Sequence, residues 1–112
     1  MNPETLIIAY LHSPKERLWG VLRSQDASGL WLEGIALDSF DDWARQVARK
    51  EESGIGLSLA FYPMLRVEKL VVDRSVPGQP SLADGFHSIT GLRVEAYLGL
   101  EEPEAPGAPG AI

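Results

Sequence analysis

The apolar positions of this chain fall into short runs of strand character, separated by turn residues. Runs of this kind, rich in branched and aromatic side chains and bounded by Gly, Pro, Asp or Ser, predict β-strands. The second and third runs flank a polar loop in which Asp26 and Gly29 suit a turn, so these two strands are expected to form a hairpin. In all, the sequence predicts five strands, over residues 6–12, 17–24, 30–38, 57–62 and 65–73.

Between the third and fourth runs, the spacing of apolar residues changes to that of a helix. The amphipathic pattern predicts a helix over residues 39–50, with Ser39 and Asp42 as a capping box at its start. Its apolar face consists of residues three and four positions apart: Phe40, Trp43, Ala44, Val47 and Ala48. Farther along, Ser81 and Gly91 suit the two ends of a short helix, and residues 92–98 are expected to add a helical turn or two.

These elements predict a mainly β fold in which a five-stranded sheet bends round into a small barrel. If Ser24 pairs with Leu30, Gly20 lies opposite Gly34, and facing glycines suit a sharply bent strand pair. Residues 1–100 are expected to form a single domain, with the short C-terminal helices covering one opening of the barrel. The Pro-, Gly- and Glu-rich residues 101–112 have little to bury and are expected to be disordered.

Composition narrows the class of protein. The chain has no cysteine, which excludes disulfides and cysteine-based zinc sites. No apolar run reaches the length of a membrane span and the N-terminus lacks signal-peptide features, so we expect a soluble cytoplasmic protein without membrane association. The net charge is −6, and it is −3 over residues 1–100, where 10 basic and 13 acidic side chains fall. This balance lacks the basic footprint of a nucleic-acid binder.

Over about residues 6–73 the chain resembles the Sm-like family of small SH3-like barrels. "LIIAYLHSPKERLWGVLRSQDASGLWLEGI" is similar to the family's first three strands, with Gly20 at the bend and Asp26 in the hairpin loop, and "LSLAFYPMLRVEKLVVD" is similar to its last two. The resemblance implies a barrel with the helix at 39–50 inserted between strands 3 and 4. It also implies rings in which the fourth strand of one subunit pairs with the fifth of the next.

The sequence departs from the RNA-binding members of that family at both contact motifs. Those members carry Asp, an apolar residue and Asn in the hairpin loop, and Arg-Gly at the last strand pair. Here the loop reads "DASGL" and the strand junction reads "FYPML". The resemblance therefore implies the barrel without implying RNA binding.

Two sets of residues are candidates for contact with a partner, which we expect to be another protein or a second copy. The first set shares one face of the predicted hairpin: Trp19, Arg23, Trp31 and Glu33. The alternative interpretation, which we favour, is that the predicted helix covers this face and that Trp19 and Trp31 form a second, smaller core. The second set would form the oligomer edge: Leu57, Leu59, Phe61, Val67, Lys69 and Val71. Pro63 lacks an N–H and would be the device that keeps this edge unpaired.

No residue pattern predicts catalysis, a cofactor or a metal ion. His12 and His87 have no companions at ligand spacing, and helix capping explains Asp38, Asp41 and Asp42. The sequence therefore favours a non-enzymatic interaction or self-assembly module. One alternative is single-stranded nucleic-acid binding, with Trp19 or Trp31 stacking on bases and the basic residues Arg17, Arg23, Arg66 and Lys69 on phosphates. Another is a small-ligand or enzymatic role in a pocket beside Trp43 and Tyr62.

Overall fold

The computed structural model describes residues 4–51 and 54–100, and in these ranges the chain is mainly β. Five antiparallel strands form one sheet in the order β4-β3-β2-β1-β5. The strands are β1 (Thr5–Leu11), β2 (Glu16–Asp26), β3 (Gly29–Ala36), β4 (Ser58–Pro63) and β5 (Val67–Val72), and the helices are α1 (Phe40–Ala48), α2 (Leu82–Thr90) and α3 (Val94–Tyr97). No helix in the described ranges has the length and apolarity needed to cross a bilayer. The predicted disordered segment, 101–112, lies outside the described residues.

The connection between β4 and β5 requires the sheet to curl. These strands lie at opposite edges of the sheet, and the outer strands of a flat five-stranded sheet would be about 19 Å apart. Only the 3-10 turn Met64–Arg66 joins them, and a 3-10 turn of three residues advances about 6 Å. The two edges must therefore approach each other at this end, which gives the sheet a concave inner face.

The predicted barrel is not closed. Within the described ranges, β4 pairs with β3 and β5 pairs with β1, while β4 and β5 form no ladder with each other. Because a 3-10 turn joins them instead of a tight hairpin turn, they do not continue into a pair. Both edges of the sheet consequently keep one unpaired side.

The register between β2 and β3 confirms one part of the prediction and corrects another. Gly20 lies opposite Gly34, as predicted, and a Cβ on Gly20 would lie 2.5 Å from the Gly34 Cα atom and closer still to a backbone oxygen of β3. The predicted pairing of Ser24 with Leu30 is wrong, since Ser24 lies opposite Trp31. A β-bulge between Leu22 and Ser24 adds one residue and shifts the register of the outer half of the hairpin.

Each face of the sheet has its own hydrophobic cluster. The inner cluster combines residues of β1, β2 and β3 with partly buried side chains of both edges, including Tyr62 from β4 and Val67 from β5: its buried members are Ile7, Ala9, Leu22, Leu30 and Leu32. The outer cluster lies beneath the helices and includes Leu6, Trp19, Val21, Ile35, Phe40, Trp43, Phe86 and Val94. The sheet is thus buried on both faces near its centre, which explains why several strands read as continuously apolar.

The predicted helix between strands 3 and 4 is confirmed as α1, and it packs on Trp19. The ring of Trp19 lies 4.9 Å from that of Phe40 and 5.7 Å from that of Trp43, measured between centroids. The predicted capping box is wrong. Residues Leu37–Ser39 form a 3-10 turn that continues directly into the helix, and the side chain of Ser39 makes no capping hydrogen bond.

The predicted caps of α2 are confirmed. The Ser81 hydroxyl accepts a hydrogen bond from the Asp84 N–H at 3.0 Å, and Gly91 ends the helix with a φ of 78°. α2 and α3 lie on the α1 side of the sheet, where Phe86 and Val94 complete the outer cluster. The helices thus cover the part of the outer face that carries Trp19, Val21 and Ile35.

Candidate interaction surface at the sheet edge

Three large apolar side chains lie exposed beside the free edge of β4. Trp31 is 45% exposed, Leu59 is 58% exposed and Phe61 is 40% exposed. The rings of Trp31 and Phe61 pack against each other with centroids 5.5 Å apart. We call these three residues the edge patch. In this patch a free strand edge lies beside a cluster of exposed apolar side chains.

The edge patch follows from strand register. Trp31 lies opposite Phe61, and Glu33 lies opposite Leu59, so these side chains share the outer face of the sheet. Toward its other end, the same face of β3 carries Ile35, which packs beneath α1. The helices cover the face around Ile35 and leave the Trp31 end open. The prediction that Trp31 belongs to a second core with Trp19 is therefore wrong.

An ion pair borders the edge patch on the side away from the free edge of β4. Arg23 lies in the bulge of β2 and donates two hydrogen bonds to Glu33, from Nε at 2.9 Å and from Nη2 at 2.6 Å. Glu4 lies 3.6 Å from the same guanidinium group. Arg23 and Glu33 are each about one third exposed. Glu33, beside the patch, is thus matched by a positive charge.

The remaining predicted contact residues lie in different environments. Trp19 is completely buried and so contributes nothing to a surface. Leu57 precedes β4 and packs against the outer cluster, and Val67 packs against the inner cluster. Lys69 and Val71 are exposed on β5, at the opposite edge from the patch, and the Lys69 ammonium group lies 4.7 Å from the centre of the Tyr10 ring.

A hydrogen-bond centre at the end of β5 was not predicted from the sequence. The carboxylate of Asp73 accepts the Trp19 Nε1–H at 3.0 Å and the backbone N–H groups of Leu82 and Ala83 at 2.9 and 3.0 Å. Sequence patterns reveal little here, because these donors lie 54, 9 and 10 residues from the acceptor. Asp73 thereby fixes the start of α2 on the sheet, next to the buried Trp19.

The three arginines considered for nucleic-acid binding are each paired with an acidic partner. The Arg17 guanidinium group lies 3.2 Å from Asp38, and that of Arg66 lies 2.9 Å from Glu16. Arg66 also donates to the backbone carbonyls of His12 and Pro14 at 3.2 and 2.9 Å. A cleft of about 790 Å³ is lined by charges of both signs, including Lys15, Arg17, Asp38, Glu68 and Lys69. Because neither sign of charge predominates in its lining, this cleft favours neither an anionic nor a cationic ligand.

Trp43 and Tyr62, beside which a pocket was considered, do not lie next to each other. Trp43 belongs to the outer cluster and Tyr62 packs against the inner cluster, so the sheet separates them. Desolvation raises the pKa of the Tyr62 hydroxyl, and the negative charge of Glu16 raises it further. In the hairpin loop, hydrogen bonds from the Ser28 side chain and backbone lower the pKa of Asp26. Both shifts follow from local structure.

Within the described ranges, no group of three or more His, Asp or Glu side chains is placed to hold a metal ion. Neither a protein-family model, nor a curated protein, nor a solved structure matches this chain.

Proposed function

We propose that this chain is a non-enzymatic interaction module that joins a second polypeptide through an open edge of its curled sheet. The observation that carries the proposal is the edge patch, in which Trp31, Leu59 and Phe61 lie exposed beside a strand that pairs on one side only within residues 4–51 and 54–100. Contiguous apolar side chains on a surface are typical of interaction sites, because their exposure to water is unfavourable. The free strand edge adds backbone donors and acceptors that an incoming strand can satisfy.

We further propose that the curled sheet is a form of the Sm-like, SH3-like barrel. Assembly through the fourth and fifth strands, which that resemblance implies, requires both strands to lie at sheet edges. The strand order β4-β3-β2-β1-β5 meets this requirement. The facing glycines, Gly20 and Gly34, lie where that resemblance places the bend of the second strand.

The electrostatics support a polypeptide partner over a nucleic acid. Phosphate binding draws its affinity from basic side chains that release counterions. Arg17, Arg23 and Arg66 each already contact an acidic side chain. With a net charge of −6 on the whole chain, such pairs would have to be opened to bind phosphate.

Light scattering at micromolar to millimolar protein concentrations tests the proposal. We expect the mass to exceed the 12.2 kDa of one chain, and we expect Leu59→Lys to reduce it by placing a charge on the β4 edge. Because Leu59 is 58% exposed, the variant should keep the wild-type circular dichroism spectrum and urea midpoint. Wild-type protein that remains at 12.2 kDa and binds no polypeptide through the patch would contradict the proposal.

Fluorescence anisotropy with labelled single-stranded RNA tests the alternative function, nucleic-acid binding. Binding that is weak and disappears as salt increases is the result expected from the charge balance. Submicromolar binding that resists salt would replace the proposal with nucleic-acid recognition. Trp31→Ala then separates base stacking from phosphate contact, because only a stacking role requires the ring.

A further inference from the structure

We propose that β4 pairs in antiparallel fashion with β4 of a second copy, which gives a closed two-fold dimer. This inference rests on the proposed function and names the occupant of the edge patch. It differs from the pairing of β4 with β5 that the Sm-like resemblance implies. The two arrangements have different consequences, since a two-fold pairing closes at two subunits whereas a head-to-tail pairing builds rings or filaments.

The two sheet edges differ in their protection against strand addition. β4 contains no charged residue along Ser58–Pro63. β5 carries Glu68 and Lys69, both exposed. Charged side chains on an edge strand, Lys above all, oppose pairing with another chain because their heads would lose water. β4 is therefore the edge that is open to a partner, and two β4 edges meet without charge repulsion.

The backbone groups of Leu59 and Phe61 point away from the sheet. A Cβ on Gly20 would contact the Glu33 carbonyl oxygen, which shows that the backbone carbonyl of Glu33 points toward β2. The direction of the backbone N–H and C=O groups alternates along a strand. Those of Leu32 and Leu30 therefore point toward β4, where these residues lie opposite Ala60 and Tyr62. The Met64 N–H, which donates to the Ser28 carbonyl at 2.9 Å, fits the same alternation. Leu59 and Phe61 are consequently left with outward donors and acceptors.

Within the bounds of β4, one register pairs both Leu59 and Phe61 of each copy and leaves Pro63 outside these pairs. With Leu59 opposite Phe61 of the second copy, each of the two symmetry-related pairs exchanges both backbone hydrogen bonds. A shift by one pair would place Pro63, which has no N–H, opposite Leu59 and leave a carbonyl without a donor. In the favoured register Pro63 lies outside the central pairs. It therefore selects the register and does not block the edge.

The edge patch becomes continuous across this dimer. Leu59 of each copy lies beside Phe61 of the other on the same face, with a Trp31 ring on either side. A buried aromatic side chain covers about 150–250 Å², so Trp31 at 45% and Phe61 at 40% exposure leave roughly 60–110 Å² each. A standard interface buries about 800 Å² on each partner. The side chains alone supply only part of this area, so backbone pairing must accompany them, and we expect weak, concentration-dependent association.

A single engineered thiol tests the pairing, because the chain contains no cysteine. In the favoured register Ala60 faces Ala60 of the second copy in a non-hydrogen-bonded pair, with Cα atoms about 4.5 Å apart. That distance lies within the range of a disulfide. We expect Ala60→Cys to form a covalent dimer under mild oxidation at least about tenfold faster than Val71→Cys on the other edge. Ala60→Ser is the matched control without a thiol.

The wild-type chain provides a second measurement that needs no variant. Amide hydrogen exchange at Leu59 and Phe61 should slow about tenfold or more between micromolar and millimolar protein, while exchange at Ala60 and Tyr62, already paired with β3, changes little. Rapid exchange of Leu59 and Phe61 in a sample that light scattering shows to be associated would overturn the β4 pairing.

The outcomes separate this inference from the proposed function. A dimer that forms the Ala60→Cys cross-link and tolerates Val71→Lys supports both. Assemblies larger than two subunits, lost equally in Leu59→Lys and Val71→Lys, would keep the interaction module and overturn the two-fold pairing in favour of head-to-tail contacts. Protein that stays monomeric at millimolar concentration overturns the two-fold pairing. If it also binds no other polypeptide through the patch, the proposed function fails with it.

Discussion

At the scale of single residues, the carboxylate of Asp73 joins elements that lie far apart along the chain. Its two oxygen atoms receive three N–H groups, one from Trp19 and two from the first residues of α2. A negative charge at a helix N-terminus is favourable, since it interacts with the helix dipole and satisfies unpaired donors. Asp73 thus couples the hydrophobic outer cluster to the placement of the second helix.

The first prediction concerns this carboxylate. Asp73→Asn keeps the size of the side chain but replaces one acceptor oxygen with an NH₂ group that faces backbone donors. We expect the free energy of unfolding to decrease by about 1.5–3 kcal/mol, the range for hydrogen bonds to charged groups. Urea unfolding measures the loss, and Glu68→Gln, which neutralises an exposed carboxylate of β5, is the matched control. Equal midpoints for the two variants would contradict the role of Asp73.

The tryptophans show how far residue-level prediction reaches. Trp19 and Trp31 occupy the same face of the same hairpin, and the sequence pattern treats them alike. The structure buries Trp19 completely and leaves Trp31 45% exposed. The difference depends on where α1 and α2 lie along the strands, and helix placement is a tertiary property that periodicity does not encode. Alternation along a strand predicts the face of a side chain but not whether another element covers that face.

At the scale of elements, prediction succeeded where the residues of a segment determine its conformation without help from distant residues. The helical spacing of the segment after β3 identified α1, and the cap residues Ser81 and Gly91 identified the ends of α2. The bulge at Arg23 was missed, since an inserted residue leaves the alternation of β2 intact on each side of it. Gly20 and Gly34 were paired correctly because Gly20 comes before the bulge along β2, where the predicted register holds.

The second prediction tests whether α1 is held by its buried face. Trp43 is 3% exposed and lies 5.0 Å from Phe86 and 5.7 Å from Trp19, measured between ring centroids. Trp43→Ala should destabilise the protein by about 3–5 kcal/mol, the cost of a large cavity at a buried aromatic position. Arg45→Ala, on the exposed side of the same helix, should stay within about 0.5 kcal/mol of wild type. Urea denaturation that gives equal stabilities for the two variants would show that α1 is not anchored by packing.

At the scale of the whole molecule, the curl of the sheet determines what is exposed. It brings both edges toward the inner cluster, where Tyr62 and Val67 pack, yet leaves each edge with one unpaired side. The sequence predicted five strands and a bend at paired glycines, but it predicted closure that the structure lacks. Closure depends on the distance between the two edge strands after the bend, and local sequence patterns do not determine that distance. The edge of β4 is free because the sheet curls without closing, and the edge patch lies beside it where the helices leave the outer face uncovered.

The last prediction tests the bend on which this architecture depends. A Cβ at Gly20 would lie 2.5 Å from the Gly34 Cα atom, so the facing strands would have to separate. We expect Gly20→Ala to cost about 1–3 kcal/mol through overpacking. Gly85, in α2, is the matched control: a Cβ there meets nothing within 4 Å, and Gly85→Ala should add about 0.5–1 kcal/mol through helix propensity. Thermal and urea unfolding should thus give opposite signs for the same chemical change. If both substitutions stabilise the protein, the close approach of β2 and β3 at Gly20 is not what bends the sheet, and the exposure of the β4 edge must have another cause.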